Sequence, residues 1–300
     1  MSRRLSPARY AWITRAALVS LVVIVITGAA VRLTGSGLGC SDWPRCNEER
    51  FIDVSSFHGA VEQLNRLFTG LVTVLVMAAV LAARFLEVRR RDLERLAWLL
   101  VIGVIGQIVL GGVVVLTDLN PVANQGHFLL SMFLVGTGWI LVRRAGGDVD
   151  RLALPSGDTR LVRTVAVLAS VAVVTGTVVT GAGPHAGDEN APRLDIAITT
   201  AARLHGISVI ITLSCIVWLL TRIRRRPFGS LHTAIEVVLV LGVIQATVGY
   251  VQYFNDIPAA LVAVHIALAT AFFMAVVNLW YSVGPLERQF DAERRAIVSR

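Results

Sequence analysis

The segment Val61-Glu62-Gln63-Leu64-Asn65-Arg66 stands at the head of an uncharged apolar run that extends from Leu67 to Ala83. That run has the length and composition of a membrane-spanning helix. A carboxylate and a guanidinium at the mouth of such a helix are costly to bury, so their presence indicates a functional site. Glu62, Asn65 and Arg66 are spaced i, i+3 and i+4 and therefore share one helical face. We predict that this face lines a cavity of cofactor size.

The composition of the chain is that of an integral membrane protein. Of its 300 residues, 55% are hydrophobic and only 16% are charged, whereas soluble domains carry about 25% charged residues. The net charge of +8 comes from 28 arginines, and the chain has no lysine. The arginines cluster between apolar runs, so we expect them to set the orientation in lipid and not to bind nucleic acid. The first apolar run lacks a clear cleavage site, so no cleavable signal peptide is expected.

Eight apolar runs predict eight transmembrane helices and an all-α fold. Arginines concentrate before the first run and after each even-numbered run. The positive-inside rule then places both termini in the cytoplasm. We expect a multi-pass protein of a bacterial cell membrane. The predicted runs are approximately 11–31, 62–83, 96–116, 126–142, 163–182, 201–221, 233–251 and 259–282.

The longest predicted outer loop, residues 32–61, contains Cys40 and Cys46. Two cysteines outside the membrane form a disulfide readily in an oxidising compartment. A structural disulfide and a redox-active dithiol are both compatible with the pair. Metal binding by the pair is disfavoured because no nearby histidine gives a zinc-like spacing. Cys215 lies within a predicted span and is expected to be a small packing residue.

An internal repeat relates the two halves of the chain. Gln107 precedes His127 by 20 residues, and Gln245 precedes His265 by 20 residues. Both halves also contain a Thr-Gly-x-Gly segment, at residues 34–37 and 180–183. Such a duplication is common in membrane proteins of this size. We therefore predict two pseudo-symmetric four-helix bundles, residues 1–145 and residues 146–300.

Three histidines fall near the predicted outer ends of their helices: His127, His205 and His265. His205 and His265 lie on the second and fourth helices of one bundle. Facing histidines on two helices are a common way to hold a haem iron from both sides. The alternatives are core histidines that bond to carbonyl groups, or a zinc or copper site, although the sequence offers no further ligands beside the pair. We favour haem.

The repeat reveals an asymmetry between the halves. The first-half counterparts of His205 and His265 are Asn65 and His127, with separations of 60 and 62 residues respectively. The second half is thus predicted to hold a six-coordinate, electron-transferring haem. The first half keeps one ligand, His127, and adds Glu62 and Arg66, where the repeat has Ala202 and Gly206. This is the pattern expected of a catalytic site beside a cofactor site.

Several of these motifs resemble those of the haem A synthase family. The loop from Thr34 to Cys46, Thr-Gly-Ser-Gly-Leu-Gly-Cys-Ser-Asp-Trp-Pro-Arg-Cys, is similar to the first extracytoplasmic loop of that family. Glu62-x-x-Asn65-Arg66 resembles its Glu-x-x-His-Arg motif, with asparagine in place of histidine. The segment Thr180-Gly181-x-Gly183-Pro184-His185-x-Gly187-Asp188 also fits. The resemblance covers about residues 10–282.

The resemblance implies an oxidoreductase that converts the C8 methyl group of haem O to a formyl group by two hydroxylations. Its cofactor would be haem b, with His205 and His265 as axial ligands. His127 would bind the substrate haem, with Asn65 and Arg66 beside it, and Glu62 would be the acid essential to turnover. Cys40 and Cys46 match the cysteine pair of the family. An asparagine amide is a poor ligand for haem iron, so the Asn65 side of the substrate iron is expected to be weakly occupied or open.

Expected partners are haem O, membrane lipid, a haem O synthase (protohaem farnesyltransferase) and an electron acceptor. Two other functions compete with the enzyme. A non-catalytic or quinone-linked b-type cytochrome would use the same histidines but would not need Glu62. A transporter is suggested by the repeat, but its polar groups would be expected near the membrane midplane and not near the outer face.

Overall fold

The computed structural model describes residues 4–147, 151–224 and 229–284. The secondary structure in these ranges is helical apart from two isolated backbone bridges, which join Leu5 to Leu86 and Leu152 to Val283. Each of the eight helices is long and apolar enough to span a membrane. They are α1 (Pro7–Leu33), α2 (Phe57–Arg84), α3 (Arg91–Leu116), α4 (Pro121–Ala145), α5 (Ser156–Ala182), α6 (Ile198–Ile223), α7 (Gly229–Phe254) and α8 (Ala259–Ser282).

The eight predicted helices are confirmed, but several begin earlier than hydropathy indicated. α2 begins at Phe57 because the Ser56 side chain caps it by accepting a hydrogen bond from the Gly59 amide. α4 begins at Pro121, after Asn120 caps two amides of its first turn. Such caps start a helix within polar sequence, which a hydropathy pattern does not count.

The helices form two rings of four with the same pattern of neighbours. In the first ring α1 packs on α2, α2 on α3, α3 on α4, and α4 on α1. The helices α5 to α8 repeat this order. α2 and α4 are therefore diagonal in the first ring, and α6 and α8 are diagonal in the second.

The interface between the rings has the symmetry expected of a duplication. α4 packs on α8, α1 packs on α8, and α5 packs on α4. Exchanging the two halves converts the α1–α8 contact into the α5–α4 contact and leaves the α4–α8 contact unchanged. The all-α fold with two pseudo-symmetric bundles agrees with the prediction.

Each ring surrounds its own apolar core. The first core includes Tyr10, Val76 and Leu100, and the second includes Ile216, Ile235 and Leu279. The outward faces are also apolar: Leu64, for example, is 62% exposed. Apolar groups on the outer surface of a helix this long are suited to contact with lipid.

The loops 34–56, 117–120, 183–197 and 255–258 lie at one end of the bundle, which we call the disulfide end. The Gly37 amide donates a hydrogen bond to the Gly187 carbonyl at 2.8 Å, which joins the loops of the two halves. The opposite end carries many of the arginines and is called the arginine-rich end.

Candidate functional site

The four positions related by the repeat lie at matched depth near the disulfide end. Asn65, His127, His205 and His265 stand six to eight residues after the first residues of α2, α4, α6 and α8. Asn65 and His127 lie on the diagonal helices α2 and α4 of the first ring, and His205 and His265 lie on the diagonal helices α6 and α8 of the second. Diagonal helices do not pack against each other, so their side chains can face a group that occupies the space between them.

His205 and His265 face each other across the second ring. Their ring centroids are 6.5 Å apart and their planes are inclined by 81°. A nitrogen ligand lies about 2 Å from its metal, and an imidazole nitrogen lies about 1 Å from its own ring centre. An ion between two imidazoles therefore separates their centroids by about 6 Å. The pair fits a haem iron with two axial histidines. The described residues include no group of three or more histidine, cysteine or acidic side chains suited to hold a metal ion.

Neighbouring side chains orient His205. Its Nδ1 lies 3.1 Å from the Thr175 hydroxyl, which also bonds to Ser208 at 2.9 Å. When Nε2 binds a metal, Nδ1 carries the proton and donates it to such a partner, which fixes the ring orientation. A Cβ atom at Gly176 would lie 3.2 Å from His205 Cε1, so this glycine lets the ring approach α5 closely.

The two other histidines occupy equivalent surroundings in the two halves. A Cβ atom at Gly111 would lie 3.4 Å from His127 Cε1, and one at Gly249 would lie 3.0 Å from His265 Cε1. These glycines follow Gln107 and Gln245 by four residues. The repeat in the sequence therefore corresponds to a repeated contact between a histidine side chain and a glycine. Gln107 donates hydrogen bonds to the His127 carbonyl and to Ser131.

Asn65 takes the place of His205 in the first half. Its Oδ1 accepts a hydrogen bond of 2.8 Å from the Thr27 hydroxyl. Thr27-Gly28 stands in α1 where Thr175-Gly176 stands in α5. A Cβ atom at Gly28 would meet no neighbouring atom within 4 Å. The threonine and glycine are thus retained in both halves, although the side chain beside them differs.

Glu62 is buried and held from two sides. Its Oε2 accepts a hydrogen bond of 2.7 Å from the Cys40 amide, and its Oε1 accepts one of 3.0 Å from Arg66 Nε. The two side chains form an ion pair in which Glu62 is 7% and Arg66 20% exposed. This pairing offsets the cost of burying each charge.

The disulfide loop completes the surroundings of this ion pair. Cys40 and Cys46 form a disulfide. Arg66 Nη1 donates hydrogen bonds to the carbonyls of Asp42 and Arg45, at 3.1 and 3.0 Å. The disulfide-closed loop of residues 40–46 therefore holds both Glu62 and Arg66 from the disulfide end.

The remaining histidines do not join either site. His58 lies in the first turn of α2, and its Nδ1 contacts the Ser36 hydroxyl at 2.9 Å. His185 contacts the Ile257 carbonyl at 2.8 Å. His232 lies in α7, and its Nε2 contacts the Ile223 carbonyl at 2.8 Å.

Thr27 and Thr175 were missed by reasoning from the sequence. Thr27 lies 38 residues before Asn65, whereas Thr175 lies 30 residues before His205. The intervening loops differ in length, so the two pairs do not align at one offset. The signal that would have found them is the second Thr-Gly pair that precedes the Thr-Gly-x-Gly segment in each half.

Comparison with known proteins shows which sequences this chain is similar to. A family model described as Cytochrome oxidase assembly protein (COX15-CtaA) matches residues 9–58. A protein of Listeria monocytogenes named "Heme A synthase" is 25% identical over 275 residues, which cover 85% of this chain and 89% of that protein.

Two Geobacillus proteins carry the same name and match a shorter part of the chain. The protein of Geobacillus thermodenitrificans is 33% identical over 116 residues, or 38% of this chain. That of Geobacillus kaustophilus is 32% identical over 115 residues. The chain spans about a third of the length of these two relatives, since each alignment covers 36% of the Geobacillus protein. The chain is thus similar to a family model over residues 9–58 and, at 25% identity, to a protein named "Heme A synthase" over 85% of its length.

Proposed function

We propose that this protein is an oxidoreductase that converts haem O to haem A by oxidising the C8 methyl group to a formyl group. The observation that carries the proposal is the asymmetry of the two rings. Matched positions hold two facing histidines in one ring. In the other ring they hold one histidine and Asn65, beside the buried pair of Glu62 and Arg66. The name of the relatives, "Heme A synthase", supports the same activity.

The second ring, within residues 146–300, is proposed to hold haem b through His205 and His265. Bound there with two histidine ligands, haem b would supply one-electron transfer. The Thr175 hydroxyl would accept a hydrogen bond from His205 Nδ1 and so leave Nε2 free to bind the iron. Gly176 and Gly249 leave room between the helices for the imidazole groups of His205 and His265.

The first ring, within residues 1–145, is proposed to bind the substrate, haem O. His127 binds the substrate iron, and Asn65 lies on the diagonally opposite helix of the four-helix ring. Two hydroxylations of the methyl carbon give a hydrated aldehyde, and loss of one water leaves the formyl group. With water as the oxygen source, this conversion releases four electrons and four protons to acceptors.

Glu62 is proposed to act as the acid–base residue of the first ring. Its carboxylate receives protons released at the methyl carbon, or stabilises positive charge that develops there. Arg66 and the Cys40 amide hold the carboxylate in one orientation, because they bond to its two different oxygens. Preorganised groups of this kind stabilise charge without having to reorient during the reaction.

The substrate and the products define the partners. Haem O would come from a haem O synthase (protohaem farnesyltransferase), and an electron acceptor would be needed for the electrons released. Both termini are proposed to be cytoplasmic in a bacterial cell membrane. An alkaline phosphatase fusion within residues 47–52 should then be active and a fusion after residue 284 inactive. The opposite result would reverse the orientation.

A b-type cytochrome without catalytic activity is the second candidate. It would use His205 and His265 in the same way. A pure electron carrier does not need a buried acid held by a disulfide loop in the ring that lacks the second histidine. The contacts of Glu62 therefore favour the enzyme.

The decisive experiment is co-expression with an enzyme that forms haem O, followed by extraction of the haems and their identification by mass. The proposal expects haem A from the wild type and at least about a hundredfold less from Glu62→Gln, since positioned acid–base groups contribute 10²–10⁴-fold. Glu94→Gln removes a carboxylate from another arginine pair, with Arg84 at the arginine-rich end, and is the control. Haem A at the normal rate from Glu62→Gln would contradict the role of Glu62. Haem b alone from the wild type would favour the cytochrome.

A further inference from the structure

We infer that haem in the first ring is bound by His127 alone, and that Asn65 leaves the opposite axial position open to a small exogenous ligand. This inference rests on the proposed function, because it concerns the site where haem O would bind. It adds a coordination state that differs between the two rings of the same protein.

Asn65 cannot reach as far as the histidine that it replaces. The nitrogen or oxygen of its amide is one bond closer to the backbone than Nε2 of an imidazole. Asn65 and His205 occupy corresponding positions of the repeat, eight residues after the start of α2 and seven residues after the start of α6. An amide at this position therefore ends short of the point where His205 Nε2 would meet an iron.

The hydrogen bond from Thr27 further reduces the ability of Asn65 to act as a ligand. Asn65 Oδ1, the better donor of electrons in the amide, accepts the Thr27 hydroxyl at 2.8 Å. In the second ring, Thr175 contacts His205 through Nδ1 and leaves Nε2 available. Thr175 thus supports a potential iron ligand in the second ring. The equivalent Thr27 occupies the only strong acceptor of the Asn65 side chain in the first ring.

The space beside Gly28 agrees with this difference. His205 packs against Gly176, where a Cβ atom would lie 3.2 Å from the ring. The equivalent Gly28 has no neighbouring atom within 4 Å of such a Cβ position. The side of the first ring that would receive an imidazole is therefore roomy, whereas the opposite side keeps the Gly111–His127 packing.

The amide nitrogen of Asn65 remains as a donor at the open position. Because Oδ1 is held by Thr27, the planar amide places its NH₂ group on the other side of Cγ. A small ligand on the iron would then accept a hydrogen bond from Asn65. Asn65 is accordingly a positioning residue for that ligand and not an iron ligand.

The test uses the full-length protein in detergent, titrated with haem b, reduced and exposed to carbon monoxide. Haem bound by two histidines excludes carbon monoxide, whereas five-coordinate haem binds it. We expect the wild type to bind two haems, of which one binds carbon monoxide and disappears in His127→Ala. Asn65→His should convert that haem to a low-spin form and lower its carbon monoxide affinity at least tenfold.

Two matched variants test the role of the amide. His205→Asn copies Asn65 into the second ring, beside Thr175, and should make the second haem bind carbon monoxide. Asn65→Leu should keep carbon monoxide binding but raise the stretching frequency of the bound molecule, since a hydrogen bond from the amide lowers it.

Three results would overturn the inference: no haem that depends on His127, a low-spin first-ring haem that excludes carbon monoxide, or unchanged binding in Asn65→His. These results are separable from a failure of the proposed function. Haem A formation together with exclusion of carbon monoxide removes only the inference. Carbon monoxide binding without haem A formation removes only the proposed activity.

Discussion

At the scale of single residues, the site depends on side chains that hold other side chains. Glu62 is held by Arg66 and by the Cys40 amide, and His205 by Thr175. The sequence was sufficient to predict that Glu62 and Arg66 share a face, because that relation depends only on helical spacing. It could not reveal the supporting threonines or the carbonyls of the disulfide loop, because those contacts depend on how separate segments fold together.

Thr175→Val should weaken haem binding in the second ring by about tenfold to a hundredfold, the usual cost of removing a partner of a metal-bound histidine. Without the hydroxyl, Nδ1 of His205 loses a partner and the ring loses its fixed orientation. The measurement is a haem titration of the purified protein, together with the midpoint potential of the bound haem. Thr164→Val is the control, since Thr164 is an exposed threonine of α5 that bonds to its own helix. Equal affinity and potential in Thr175→Val and wild type would exclude this role.

At the scale of helices, glycines set the distance between the histidines and the neighbouring helix. Hydropathy predicted all eight helices, because long apolar runs are unambiguous. It placed the starts of α2 and α4 too late, because Ser56 and Asn120 begin those helices with polar turns. The glycines of the repeat were visible in the sequence, but their contact with the histidines was not, since it depends on which helices become neighbours.

Gly249→Ala should displace His265, because the added Cβ atom would lie 3.0 Å from its Cε1 atom. A contact this short requires the ring to move by a few tenths of an ångström. The expected result is a changed spread of the g-values of the low-spin haem in electron paramagnetic resonance. Gly70→Ala provides the comparison, because no neighbouring atom lies within 4 Å of that position. Identical spectra for Gly249→Ala and wild type would show that the glycine is not needed for ring placement.

At the scale of the whole molecule, the two rings are joined by polar contacts as well as by apolar packing. Near the arginine-rich end, Asn278 of α8 accepts hydrogen bonds from Trp139 and Arg143 of α4. The pseudo-symmetry of the rings could be predicted from the repeat. This junction could not, because the partners lie 139 and 135 residues apart and have no counterpart pattern in the sequence.

Asn278→Ala should lower the free energy of unfolding by about 1–3 kcal/mol, because it removes the acceptor of hydrogen bonds from the half-buried Trp139 and Arg143. The haem spectrum should remain normal, since Asn278 lies far along α8 from His265. Thermal unfolding in detergent measures the change, with Asn255→Ala as the control, because the exposed Asn255 follows α7 and donates a hydrogen bond to the Val251 carbonyl of that helix. Wild-type stability in Asn278→Ala would mean that apolar packing alone joins the rings.

The common depth of Asn65, His127, His205 and His265 has an electrical consequence. An electron that leaves haem O in the first ring for the second ring would move parallel to the membrane plane. Moving one charge fully across the membrane involves about 2.3 kcal/mol per 100 mV, and a lateral transfer avoids this work. In proteoliposomes, the transfer between the rings should therefore proceed at the same rate with or without a potassium diffusion potential. A rate that follows the potential would show that the electron crosses the bilayer, and the oxidation of haem would then be coupled to the energetic state of the cell.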